Sequence, residues 1–139
     1  MAFGGKLIIV SGLMPGGKVK IFAPAVLWGI VILTVSSIPY LSPPSLGFSF
    51  EDKIAHFGEY GVLGILLAYG FSRQGWGWKK VFLVSAVFSG VFGILDELHQ
   101  LLIPGRQMDA LDMTADLTGA FSAAGIYLIV LWKRRKIHM

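Results

Sequence analysis

The side chains of this sequence that could do chemistry fall in two short runs. Asp52, Lys53, His56, Glu59 and Tyr60 form one; Asp96, Glu97, His99, Gln100, Arg106, Asp109, Asp112 and Asp116 form the other. Binding is one use of such a set. Arg106, as a bidentate fork, and Lys53 would grip a phosphate or carboxylate, while the acids and Gln100 accept from sugar hydroxyls or amides. Catalysis is a second use. His56 can serve as general base or nucleophile, Glu97 or Asp112 as its partner, and Arg106 with Lys53 as charge stabilisers. No hydrolase signature accompanies them: there is no G-x-S-x-G and no H-E-x-x-H, and Ser36 and Ser37 have no base assigned. Asp96 and His99 have a carboxylate-x-x-His spacing that ligates metals inside bundles, and His56 with Asp52 is an i, i+4 pair. Lys53 and Arg106 would oppose a cation, so no metal and no cofactor is expected. With no cysteine, the chain has no disulfide, thiolate or Cys-ligated zinc.

These residues must be positioned by elements that are not water-soluble. The chain is 55% hydrophobic and 14% charged over 139 residues, with mean hydropathy +0.70, too apolar for a soluble domain of that length. A helix needs about 20 mainly apolar residues to cross a bilayer, and residues 22–41, 54–71, 81–98 and 114–132 approach that length. Pro43 and Pro44, the segment from Gln74 to Lys80, and Pro104 with Gly105 separate them. The expected fold is therefore all-α, an integral membrane protein of four transmembrane helices in a compact antiparallel bundle. Residues 1–21 form a leader, interfacial or disordered, because the apolar run from Leu7 to Met14 is too short to span; no cleaved signal peptide is expected. Residues 133–139 form a basic tail, where His138 is expected to be solvated or lipid-facing.

Charge fixes the expected orientation. Lys6, Lys18, Lys20, Arg73, Lys79, Lys80, Lys133, Arg134, Arg135 and Lys136 fall on one side of a four-span topology, and all eight acids fall toward the other. Basic loops stay cytoplasmic, so both termini are expected inside, with Trp76, Trp78 and Trp132 at the inner interface. The net charge of +4 thus reports topology and not a nucleic-acid partner. Lys53 and Arg106 are the two bases left among the acids.

Positions four apart share a helix face. This gives the stripes Asp52, His56, Tyr60, Gly64 and Ala68; Ser85, Ser89, Gly93 and Glu97; and Asp112, Asp116, Ala120 and Ala124, with Ala25, Gly29 and Ser37 from the first helix. Each of the first three is polar at its outer end and small below, as close membrane packing requires. The expected site is an outward-opening cup of Asp52, Lys53, His56, Tyr60, Glu97, Gln100, Asp112 and Asp116, with Arg106 overhead. Glu59, inside a span, is expected to need a partner. A purely structural use of the same residues is also open: Asp52 capping the second helix, Asp112 capping the fourth, and Arg106 clamping a carboxylate.

The segments DKIAHFGEYGVLG, residues 52–64, and DELHQLLIPGRQMDALDMTADLTG, residues 96–119, resemble the VanZ-like membrane protein family. Its pattern is Asp-Lys, a His three residues on, a Tyr four further, Glu-x-x-Gln, a Pro-Gly-Arg turn, and Asp-x-x-x-Asn before a Gly. The pattern falls on Asp52, Lys53, His56, Tyr60, Glu97, Gln100, Pro104, Gly105, Arg106, Asp112 and Gly119, with Asp116 where the family usually has Asn. The resemblance covers residues 22–132. It implies a multi-pass protein of the bacterial plasma membrane that acts in the cell envelope, since the founding member is associated with low-level teicoplanin resistance.

Two functions from different classes follow. In one, the cup binds the head group of an amphiphile: a lipid, a lipid-linked cell-wall precursor or a lipoglycopeptide antibiotic. In the other, an intramembrane enzyme acts on a lipid-linked phosphate or acyl group through His56, Glu97 and Arg106. Membrane lipids are the expected partners of either, and self-association is open.

Overall fold

The computed structural model of the chain describes residues 19–41 and 50–137, the last three by backbone alone. Most of the leader, the Pro43–Pro44 turn and His138 lie outside the described residues. Within them the protein is helical: α1 (Ala23–Ser36), α2 (Glu51–Ser72), α3 (Trp78–Gln100) and α4 (Ala110–Ile137). Three of these, α2, α3 and residues 110–134 of α4, are long and apolar enough to cross a membrane.

The helices run past the apolar stretches because polar ends add turns without breaking the backbone pattern. Glu51 and Asp52 occupy the first turn of α2, where the helix dipole favours negative charge. Asp109 starts α4: its side chain accepts from Leu111 N–H at 2.8 Å and its carbonyl from Asp112 and Met113. This corrects the expectation that Asp112 caps α4. Asp52 does not cap α2 either, since Phe50 holds that position and makes no side-chain cap bond.

At 14 residues, α1 is shorter than its apolar stretch. Pro24 opens it, as proline fits a first turn. At the other end Pro39 lacks the N–H a helix needs, and Tyr40 turns to φ 55° with its N–H on the Pro104 carbonyl. The chain leaving α1 is thereby tied to the α3–α4 loop, where Gly105, at φ 80°, leaves room for the Tyr40 ring.

Helix α2 packs most extensively against α4; α3 covers both, and α1 lies on α2 and α3. The buried stripes are Tyr60, Gly64 and Ala68 on α2; Ser85, Ser89, Gly93 and Glu97 on α3; and Asp112, Asp116, Ala120 and Ala124 on α4. On α1 the stripe is Ala25, Gly29, Ile32 and Ser36, so Ser36 takes the buried place expected for Ser37. The α2–α4 contact is backbone to backbone: a Cβ on Gly64 would sit 2.6 Å from the Ala120 carbonyl oxygen, and one on Gly119 would strike the Phe57 carbonyl. Large apolar side chains such as Leu27, Ile30, Phe88, Val91, Ile126 and Ile129 cover the outside, as a lipid-facing surface allows and an aqueous one does not.

The two ends of the packed helices differ in kind. At one, Phe71 packs on Phe22, Trp76 and Phe88, and Lys80 lies over Trp76 at 4.0 Å, Lys79 over Trp78 and Arg73 over Tyr69. Cations over aromatic faces are a stable arrangement for a membrane interface. At the other end the C-termini of α1 and α3 meet the N-termini of α2 and α4, and there the carboxylates gather.

Candidate functional site

Lys53 organises the outermost layer of this carboxylate-rich end. Its ammonium lies 2.6 Å from Asp52, 2.6 Å from Asp109 and 2.9 Å from Asp112, so one turn of α2 is clamped to the start of α4. The contact with Asp112 is an ion pair outside hydrogen-bond geometry. Asp109 lies just ahead of α4, and the Lys53 ammonium, then the Leu111 N–H, hold its carboxyl below the usual carboxylate range. With three carboxylates around it, this ammonium is not available to grip a ligand phosphate.

One turn deeper, α2, α3 and α4 each contribute to a second cluster. His56 Nδ1 lies 2.9 Å from Asp116 Oδ1 and 3.8 Å from Glu97 Oε1. Glu97 is fully buried and receives the Asp109 backbone N–H at 3.0 Å and the Gln100 amide at 3.3 Å. Asp116 Oδ2 and the Tyr60 hydroxyl are buried without hydrogen-bond partners among the described residues. Gly93 makes room for this arrangement, because a Cβ there would lie 2.9 Å from Asp116 Oδ2 and 3.2 Å from the Tyr60 ring. His56, Glu97 and Asp116 present ligand atoms within 4.8 Å of one another, as do Asp52, Asp109 and Asp112, and among the described residues these are the two sets that could hold a metal. The second already encloses Lys53.

Beside the clusters lies a cavity of about 210 Å³ lined by Val35, Ser36, Leu41, Asp52, Ala55, His56, Glu59, Asp96, Gln100 and Arg106. Ser36 donates to Asp96 at 2.6 Å, and the Gln100 amide lies 3.3 Å from Asp96, fixing one wall. Arg106 reaches in from the loop and donates to the Val35 carbonyl at 3.2 Å, leaving its Nε buried without a partner. Arg106 therefore clamps a carbonyl and not the carboxylate it was expected to hold. Glu59 also faces the cavity. Its backbone carbonyl accepts from Trp28 at 2.8 Å, but its carboxylate has no hydrogen bond or ion pair among the described residues, contrary to the partner expected for it.

Of the nine expected site residues, Asp52, His56, Gln100 and Arg106 line the cavity, while Lys53, Tyr60, Glu97, Asp112 and Asp116 do not. His56 lies against Asp116 and Glu97, which brings one catalytic candidate to another, while Asp112 is held by Lys53. Neither spacing singled out for metal is assembled: Asp96 bonds Ser36 while His99 lies 3.0 Å from Ser37, and Asp52 bonds Lys53 while His56 meets Asp116. Reading by spacing missed Ser36, Asp96 and Asp109 as structural partners. Ser36 extends the four-three repeat of Ala25, Gly29 and Ile32, and an Asp just before an amphipathic helix is an N-cap signal; both could have been found.

No curated protein and no solved structure matches the chain. The family model described as VanZ/LLP1 matches residues 12–132, a span that contains the cavity, both clusters and all of the helices but the last turn of α4. The chain belongs to the VanZ/LLP1 family.

Proposed function

We propose that this chain is a multi-pass protein of the bacterial plasma membrane, with both termini cytoplasmic, whose outward-facing cavity holds the polar head of an amphiphile. The observation that carries this reading is a pair of groups in one small cavity that find no partner among the described residues, the Glu59 carboxylate and the Arg106 Nε–H. An unpaired charged acceptor and an unpaired donor inside a membrane protein are costly, and a zwitterionic head with an amine for Glu59 and a phosphate for Arg106 satisfies both. At about 210 Å³ the cavity is below the roughly 300–1,000 Å³ of a drug-sized ligand site. It takes one head group and not an entire glycopeptide, so any effect on glycopeptide susceptibility would follow from a lipid or a lipid-linked precursor.

The topology has the acid-rich end outside because the described bases other than Lys53 and Arg106 gather at the opposite end. Single cysteines test it, as the chain has none. Impermeant maleimide added to intact cells is expected to label Leu102→Cys and spare Gln74→Cys; the reverse pattern inverts the orientation.

Binding is tested with the protein in detergent, titrated with phosphatidylethanolamine or phosphatidylglycerol and read by thermal unfolding. The ethanolamine lipid is expected to bind more tightly, and Glu59→Gln to remove that preference. A charge-assisted hydrogen bond of about 1.5–3 kcal/mol corresponds to a loss of about tenfold or more. Because Glu59 has no partner among the described residues, the unliganded variant should be as stable as the parent. Equal binding of the two lipids by the parent would sink the zwitterion reading.

A further inference from the structure

We infer that His56, Glu97 and Asp116 form a binding site for one divalent first-row transition ion, with zinc the best match. This inference is independent of the head-group reading and uses none of its unpaired groups.

The ligand types come first. One imidazole and two carboxylates are suitable donors for zinc, which takes nitrogen and oxygen ligands in tetrahedral geometry and retains an open position when the protein supplies three. Calcium, which wants six to eight oxygens, is poorly served. With a neutral imidazole the three ligands carry a charge of −2, which a divalent ion cancels.

Geometry agrees. Ligand atoms about 2.0–2.1 Å from a tetrahedral zinc lie roughly 3.3 Å from one another. The imidazole nitrogen stands 2.9 Å from Asp116 and 3.8 Å from Glu97, and all three ligand atoms lie within 4.8 Å of one another, so side-chain rotation without backbone movement brings them to that spacing. Each ligand comes from a different helix, and Glu97 already has the supporting bonds that orient a metal-bound carboxylate, from the Asp109 N–H and the Gln100 amide.

A separate observation points to a missing cation. Asp116 is 1% exposed and its Oδ2 has no donor among the described residues. A buried carboxylate oxygen without a donor costs free energy, and neither nearby base supplies one. Lys53 is held by Asp52, Asp109 and Asp112, and Arg106 by the Val35 carbonyl. The same comparison excludes the other carboxylate cluster, whose centre the Lys53 ammonium fills. His56 also borders the cavity, which gives an ion a path in.

The full-length chain, purified in detergent and stripped with chelator, is to be dialysed against zinc and assayed by elemental analysis. One zinc per chain is expected. His56→Gln and Asp116→Asn should each weaken binding by more than the roughly 10–100-fold that changes to supporting residues cause, while His99→Gln binds as the parent does. Circular dichroism of each variant before metal addition separates ligand loss from unfolding. Cobalt in the parent provides a second readout, an intense visible band of four-coordinate ion, which does not depend on any variant folding. A parent without stoichiometric zinc or without that band overturns the site, leaving a shared proton between His56 and Asp116. Zinc that persists in both folded ligand variants, or that is lost only in His99→Gln, overturns it equally.

Discussion

Gly119→Ala is expected to destabilise the protein by on the order of 2 kcal/mol, although alanine is the better helix former. The preference of a helix interior for Ala over Gly is worth about 1 kcal/mol, and it works in favour of the variant. Against it stands a Cβ that would strike the Phe57 carbonyl oxygen and lie 2.9 Å from its carbon. Backbone cannot rotate aside as a side chain can, so α2 and α4 must separate, and overpacking of this kind costs about 1–3 kcal/mol, occasionally more. Separation also forfeits dispersion contacts along the Gly64–Ala120 register, and in lipid those contacts are a main source of helix association. Gly64→Ala should behave alike, with a 2.6 Å approach to the Ala120 carbonyl, and the double variant should fall short of the sum because one separation relieves both. Gly58→Ala, on the same helix with nothing within 4 Å, should be neutral or slightly stabilising. Reversible detergent unfolding of the three single variants checks this; equal effects at Gly58 and Gly119 would show that helix propensity, not backbone approach, governs these positions.

Lys53→Met is expected to cost about 3 kcal/mol, at the lower end of the cost of breaking a buried ion pair by removing one partner. The three contacts do not share that cost evenly. Asp52 and Asp109 side chains are about 40% exposed, and water screens them once the ammonium is gone. Asp112 is 10% exposed and has no other partner for Oδ1, so most of the loss is its uncompensated charge. Lys53→Met with Asp112→Asn should therefore recover more than half of it. The pH dependence follows from Asp109, whose carboxyl is held low by Lys53. A depressed folded value contributes stability above the ordinary carboxylate pKa and loses it as pH falls through the folded value. The gap between parent and Lys53→Met should accordingly narrow in acid, below the ordinary carboxylate range. A gap that stays constant from neutral pH into that range would mean that Lys53 acts through its alkyl stem and not its charge.

What the sequence made legible was whatever depends on one helix at a time. Apolar length located four helices, of which three and not the expected four are long enough to cross a membrane, proline and glycine located the breaks, and four-residue spacing identified the buried faces down to Gly64, Gly93 and Ala120. The polar end was legible because charged groups are tolerated only near helix ends. The length of α1 was less so. Its apolar stretch runs on through residues that Pro39 and the Tyr40–Pro104 tie remove from the helix, and the tie depends on a loop more than 60 residues away.

Which of the polar residues pair with which was decided by tertiary structure alone. Spacing put Asp96 with His99 and Asp52 with His56 because those pairs share a face of one helix. In the folded chain Asp96 goes to Ser36, His99 to Ser37, Asp52 to Lys53 and His56 to Asp116. Two of those four partners come from another helix and a third, Ser37, from the residue that ends α1, since the small-residue stripes bring the helices so close that groups at one level across the interface lie nearer than groups one turn along it. The same approach places Lys53 among three carboxylates, while Glu59 and Arg106 Nε have no partner among the described residues. The sequence by itself determined that acids, bases and an imidazole would meet at one end of a membrane protein; the Å-scale heights of α1 to α4 against one another decided which of those charges pair.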